Sequence, residues 1–163
     1  MKNKLLLIWI FFICFIILGI LLGMYIEKKL LIKYLKKEKE LSQKHLDLFL
    51  LMTQWVKVKQ NGKSIEKYLK SLGFNSIAVY GLSYVGESLI EELMNTNISV
   101  KYGIDRKASG DYFNVEVYHP DQELPKVDAV IVTSIYYMAE IEAQLSQKVD
   151  CVIVSIEDIL FNM

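Results

Sequence analysis

Only two prolines occur in the 163 residues, Pro120 and Pro125, and with 53% hydrophobic residues this argues against a disordered chain. Net charge is also lacking. Nineteen Lys and Arg balance nineteen Asp and Glu, so no overall electrostatic case exists for nucleic acid as a partner. Cysteine is limited to Cys14 and Cys151, one in an apolar N-terminal run and one in an apolar strand. They have neither metal-binding nor redox spacing and read as small core hydrophobes. The absence of a disulfide framework fits a reducing compartment. No alanine precedes Ala78, so the N-terminal run lacks the small-x-small site at which a signal peptide would be cut.

What is present begins with that run. From Leu5 to Ile26 no residue is charged, and 22 residues of helix reach about 33 Å, against a hydrocarbon core of about 30 Å. This predicts an uncleaved transmembrane helix over residues 5–26. Lys2 and Lys4 precede the run, whereas Lys28, Lys29, Lys33, Lys36, Lys37 and Lys39 follow it. That bias puts a short N-terminus outside and the rest of the chain in the cytoplasm, in a cell membrane. The lysines after the span can rest on anionic lipid headgroups. Gly19 and Gly23 form a G-x-x-x-G pair, which lets two helices approach closely and leaves a homodimer open, although glycine is common in membrane helices anyway.

Residues 27–60 contain no proline or glycine and predict a juxtamembrane helix. Its stripe of Leu41, His45, Leu48, Met52 and Trp55, widened by Phe49 and Val56, suits either a coiled-coil seam or packing on the following domain, with packing preferred. His45 has no second ligand nearby. Asn61-Gly62 ends the helix, and Ser64 can cap another in which Ile65, Tyr68, Leu69 and Leu72 face inward and Gly73 is the stop.

Residues 61–163 then alternate strands and helices. Ser76-Ile-Ala-Val-Tyr80 predicts a buried strand, followed by a helix with Val85, Leu89, Leu93 and Met94 on one side. Ile98 to Ile104 is a second strand, and Val115 to Tyr118 a third after a loop. Pro120 starts one helical turn and Pro125 stops it. Ala129-Val-Ile-Val-Thr133 predicts a central strand. A helix with Met138, Ile141 and Leu145 follows, then a strand from Asp150 to Val154, and Ser155 with Asp158 resembles a capping box. The pattern predicts an α/β fold with a small Rossmann-like parallel sheet of order 3-2-1-4-5. No helix is available on either side of the third strand, so the helices upstream of the first strand are expected to cover the exposed face.

Gly81-Leu-Ser83-Tyr-Val-Gly86 sits between strand and helix, where a dinucleotide fingerprint belongs. Gly81 permits a tight turn and Gly86 close helix–strand packing. Asp105 follows Gly81 by 24 residues, at a strand tip where a carboxylate can bind a ribose. Ser83 departs from the pattern: it replaces the glycine that lets phosphate approach the backbone, although its hydroxyl can donate to a phosphate. The rival is a Rossmann-like fold that kept its turn and lost its ligand. Thr133 and Ser134 end the fourth strand at the topological switch point and line the same crevice.

Catalytic and metal constellations are not found. His119 reads as a surface residue, and Glu91, Glu92, Glu140 and Glu142 as solvated helix faces. The Tyr-x-x-x-Lys dyad of reductases and epimerases occurs only as Tyr25 and Lys29, at the membrane boundary. Binding is favoured over turnover.

Over Leu48 to Leu160, the blocks LFLLMTQWVKVKQNGKSIEKYLKSLGFNSIAVYG, YGID, LPKVDAVIVTSI and DCVIVSIEDIL resemble a Rossmann-like domain of bacterial cell-surface polysaccharide loci. There it accompanies glycosyltransferases or stands alone, and it is often described as nucleotide-sugar- or NAD-binding. The resemblance implies Gly81, Ser83, Gly86 and Asp105 as ligand-contacting positions, and glycosyltransferases or other membrane proteins as partners. It leaves the ligand open between a nucleotide-sugar and NAD(P). Three functions follow: a membrane-tethered nucleotide or nucleotide-sugar module in surface glycan synthesis, an NAD(P)-dependent sugar-nucleotide enzyme fragment, or an interaction scaffold with an empty crevice. Nucleotide-binding domains that regulate ion transporters share the expected fold.

Overall fold

The structure, a computed structural model, describes residues 2–107, 110–112 and 114–163; within these, the side chains of 2–8, Cys14 and 110–112 are not described. The flanking cations Lys2 and Lys4, the first residues of the apolar run and the Cys14 thiol therefore lie outside what is described. The chain divides into two compact units, Met1–Asp47 and Leu48–Met163.

Helix α1 (Lys2–Gln60) is a single helix that takes in both stretches read as helical, 5–26 and 27–60. From Trp9 onward it is long and apolar enough to cross a membrane, with a window of mean hydropathy 2.7 and none of that window buried. Gly19 and Gly23 have nothing within 4 Å of where a side chain would begin.

In the second unit α1 contributes its last turns. Leu51, Trp55 and Val58 are buried, and Leu48 and Met52 pack beside them. The spacing of three and four makes one helix face. Phe49 and Val56, expected to widen the buried stripe, are instead 66% and 53% exposed. They lie on the opposite side, and Leu51 and Val58 take the core positions. Trp55 Nε1 donates to Glu92 at 2.8 Å, and Lys59 reaches the same carboxylate at 3.0 Å.

Helix α2 (Ile65–Ser71) starts at Ser64, whose hydroxyl accepts the Lys67 N–H, and buries Ile65 and Leu69. Leu72 is 47% exposed and does not face inward. Gly73 follows at φ +86°, a conformation that suits glycine after a helix. Strand β1 (Ser76–Tyr80), helix α3 (Tyr84–Leu93), β2 (Ser99–Ile104), β3 (Gly110–Tyr112), β4 (Val115–Tyr118) and β5 (Ala129–Val132) come next. A 3-10 turn (Ile135–Tyr137), α4 (Met138–Leu145), β6 (Val152–Ser155) and α5 (Ile156–Asn162) complete the order.

The sheet runs β3-β4-β2-β1-β5-β6. Five strands are parallel, and counted along the chain without β3 their order is 3-2-1-4-5, as expected. Strand β3 is an addition, antiparallel to β4 at the edge, where the sequence had suggested a loop. Pro120 starts no helix. The segment turns once, with Gln122 N donating to His119 O at 2.9 Å. Met94 is exposed, and Ile90 takes the core position on α3. Ser155 caps α5 by accepting the Glu157 N–H at 3.1 Å.

Alternation along the strands builds two cores. Ile77, Val79, Ala129 and Ile131 face α1, α2, α3 and α5. Ala78, Tyr80, Tyr102, Ile104, Val130 and Val132 face Ile141 and Leu145 of α4, with Leu124 and Val127 of the preceding loop beside them. The upstream helices α1 and α2 pack on the face that already carries the crossover helix α3, and the other face is covered by α4 and that loop alone. Each fully buried aliphatic side chain contributes roughly 1.5–3 kcal/mol.

Candidate functional site

At the tip of β1 the chain turns at Gly81, whose φ of +93° is one that side-chain-bearing residues rarely adopt. Gly81 N donates to Ile104 O at 2.8 Å, and Thr133 N to Tyr80 O at 2.9 Å, so β1 is held between β2 and β5 to its last residue. The buried Thr133 hydroxyl lies 2.6 Å from Gly81 O and 3.0 Å from Tyr80 O, and shares its proton between the two carbonyls. A Cβ on Gly81 would stand 2.5 Å from Ser134 Oγ and 2.9 Å from Thr133 Oγ1. One on Gly86 would stand 2.0 Å from Gly81 O. Both glycines are thus required by contacts the chain makes with itself.

Asp105 ties the strand tips together. Its Oδ2 accepts Leu82 N–H at 2.9 Å, its Oδ1 accepts Lys107 N–H at 2.8 Å, and its own N–H donates to Tyr118 O at 3.1 Å. Ser83 occupies the N-cap position of α3, but its side chain makes no capping hydrogen bond and is exposed.

Beside these tips lies a cleft of about 300 Å³, lined by Tyr80, Gly81, Asp105, Arg106, Lys107, Ser134, Tyr137 and Ile141. It opens where the strand order reverses between β1 and β5, the place at which open parallel sheets bind ligands. Tyr80 is only 4% exposed, and its hydroxyl is buried with no hydrogen-bond partner among the described residues. Such a group costs about 1–3 kcal/mol if nothing meets it. Arg106 donates one long bond, 3.5 Å, to Gln144 Oε1. Among the described residues neither Arg106 nor Lys107 is in an ion pair. Arg106 and Lys107 thus line the cleft with an Asp105 carboxylate that already accepts two N–H groups, a setting that favours an anion.

Two other clefts, of about 400 Å³ each, lie at the opposite, amino ends of the strands. Ile90, Leu93 and Ile98 border one, and Pro125, Lys148 and Cys151 the other. Neither is lined by an unpartnered buried polar atom. No group of three or more metal-ligating side chains occurs among the described residues.

Of the residues expected from sequence, the cleft brings together Gly81, Asp105 and Ser134. Thr133 and Gly86 sit behind its wall as packing, and Ser83 is not in the lining. Tyr80, Arg106, Lys107, Tyr137 and Ile141 were not foreseen. The one sequence signal that could have pointed to them is the position of Arg106 and Lys107 directly after Asp105 at a strand tip.

The fold and cleft define a Rossmann-like α/β domain with a concave site at its switch point. No family model, curated protein or solved structure matches the chain.

Proposed function

We propose that this chain is a membrane-anchored module that binds a nucleotide or nucleotide-sugar in the switch-point cleft. It would serve cell-surface polysaccharide assembly from the cytoplasmic side. The observation that carries the ligand reading is the Tyr80 hydroxyl, buried and unpartnered in the wall of a cleft that also holds Arg106 and Lys107. A bound polar group would satisfy it. The anchor rests on the length and apolar character of α1, the orientation on the lysines after the span, and the polysaccharide context on the sequence resemblance. Glycosyltransferases are the partners that resemblance suggests, and a second copy docking at Gly19 and Gly23 would pair the anchors.

A competing scaffold reading draws on Phe49, Leu50 and Val56, apolar side chains half or more exposed on α1. Calorimetric titration of the full chain in detergent with UDP, UDP-sugars and NAD(H) separates the two. UDP-sugar binding that Tyr80→Phe weakens supports the module. Absence of heat with every ligand replaces it by the scaffold, and NAD(H) binding alone would favour a dehydrogenase-type fragment.

A further inference from the structure

We infer that the cleft takes a nucleoside diphosphate whose phosphates are gripped by the Arg106 and Lys107 side chains, not by the glycine turn. This rests on the ligand-binding reading above and specifies its chemistry. In a glycine-loop site the missing Cβ and the free backbone N–H groups make room for pyrophosphate and hold it. Here the room over the turn is taken, and so are the N–H groups of its first two residues. Leu82 N–H is committed to Asp105 at 2.9 Å and Gly81 N–H to Ile104 O at 2.8 Å. The space over Gly81 is filled by Ser134 Oγ, 2.5 Å from where a Cβ would stand, and by Thr133 Oγ1 at 2.9 Å. Ser83 is exposed and outside the lining.

The cations supply what the turn withholds. A guanidinium and an ammonium on adjacent residues can share two phosphate groups, the first by paired N–H donors and the second as a point charge. The other end of the cleft is Tyr80, Tyr137 and Ile141. It offers aromatic rings and an aliphatic wall to a base or sugar ring, with the unpartnered Tyr80 hydroxyl buried in that wall. The volume, about 300 Å³, lies at the low end of ligand pockets and suits a mononucleotide better than a dinucleotide.

The full chain in detergent micelles would be titrated with UDP, ADP, GDP and CDP, and with the corresponding nucleosides. For the diphosphate that binds, the nucleoside should bind at least about tenfold more weakly, and the double variant Arg106→Ala/Lys107→Ala should lose at least about tenfold. Raising salt should weaken binding in the wild type and much less in that variant. Tyr80→Phe should weaken binding without lowering the melting temperature, because it removes an unsatisfied hydroxyl; this separates a binding role from a structural one. Ser83→Asp, which sets a negative charge at the start of α3, should leave affinity within about twofold. Full affinity in the double variant together with loss in Ser83→Asp would put the phosphates on the α3 end and overturn this inference while the nucleotide reading stands. No binding of any diphosphate or UDP-sugar to the wild type would overturn both.

Discussion

Gly81 and Gly86 lie against each other, and a methyl group at either meets a different obstacle. At Gly81 it meets two side-chain hydroxyls and a positive φ, and at Gly86 it meets the Gly81 carbonyl oxygen at 2.0 Å. Hydroxyls can rotate away, whereas the backbone carbonyl of the tight turn cannot. Gly81→Ala should therefore cost on the order of 1–3 kcal/mol, and Gly86→Ala more, as read from thermal melts of the two variants. Tyr102 makes a separate case. Its hydroxyl donates to Pro125 O at 2.7 Å from inside the α4-side core. Tyr102→Phe leaves that carbonyl without its donor and should cost about 1–3 kcal/mol. The glycines were legible because local turn chemistry marks them, and Asp105 because of its spacing from Gly81 at a strand tip, although its observed partners are backbone N–H groups. Tyr80, Arg106 and Lys107 were not, because their significance arises only when the ends of β1, β2 and β5 meet.

Between residues 46 and 58, α1 carries two apolar stripes. Leu48, Leu51, Met52, Trp55 and Val58 meet the sheet, and Leu46, Phe49, Leu50 and Val56 remain exposed. Periodicity alone cannot say which stripe is buried, and for that reason the phase read from sequence included Phe49 and Val56. The two should respond differently to truncation. Leu51→Ala is expected to cost about 2–5 kcal/mol and Phe49→Ala no more than about 0.5 kcal/mol, both by denaturant unfolding followed through circular dichroism. The five parallel strands and their order were readable from apolar runs bounded by turn residues. Strand β3 was not, since three residues containing a glycine give no periodic signal, and the hairpin with β4 alone defines it.

For the whole molecule, pH stability is bounded by groups with opposite signs. The Asp128 carboxyl is held below its ordinary pKa by the Asn75 and Ser76 backbone N–H groups, and Glu66 by the backbone and side chain of Asn97. Depressed carboxyls stabilise above their unfolded values, 3.8 and 4.5, and that contribution is lost as pH falls below them. Asp128→Asn should therefore flatten the acid side of a melting-temperature profile. At the alkaline end, burial pushes the Tyr102 phenol up to about 12 from 10.0. Its contribution is complete below 10.0 and is lost towards 12, so Tyr102→Phe should weaken the alkaline fall. If α1 crosses a bilayer as proposed, carbonate extraction should leave the chain in the pellet, and a protease added outside intact cells should spare residues 48–163. One packing detail bears on how the protein is made. Gln54 donates to the carbonyl of Leu160, 106 residues later, and Ile156, Ile159 and Leu160 share a core with Leu51 and Trp55. At about 5–20 residues per second, a ribosome leaves the inner face of α1 waiting roughly 5–20 seconds for α5. Until then an apolar strip stands open to chaperones and proteases, so the yield of this protein should be set during translation as much as by its final stability.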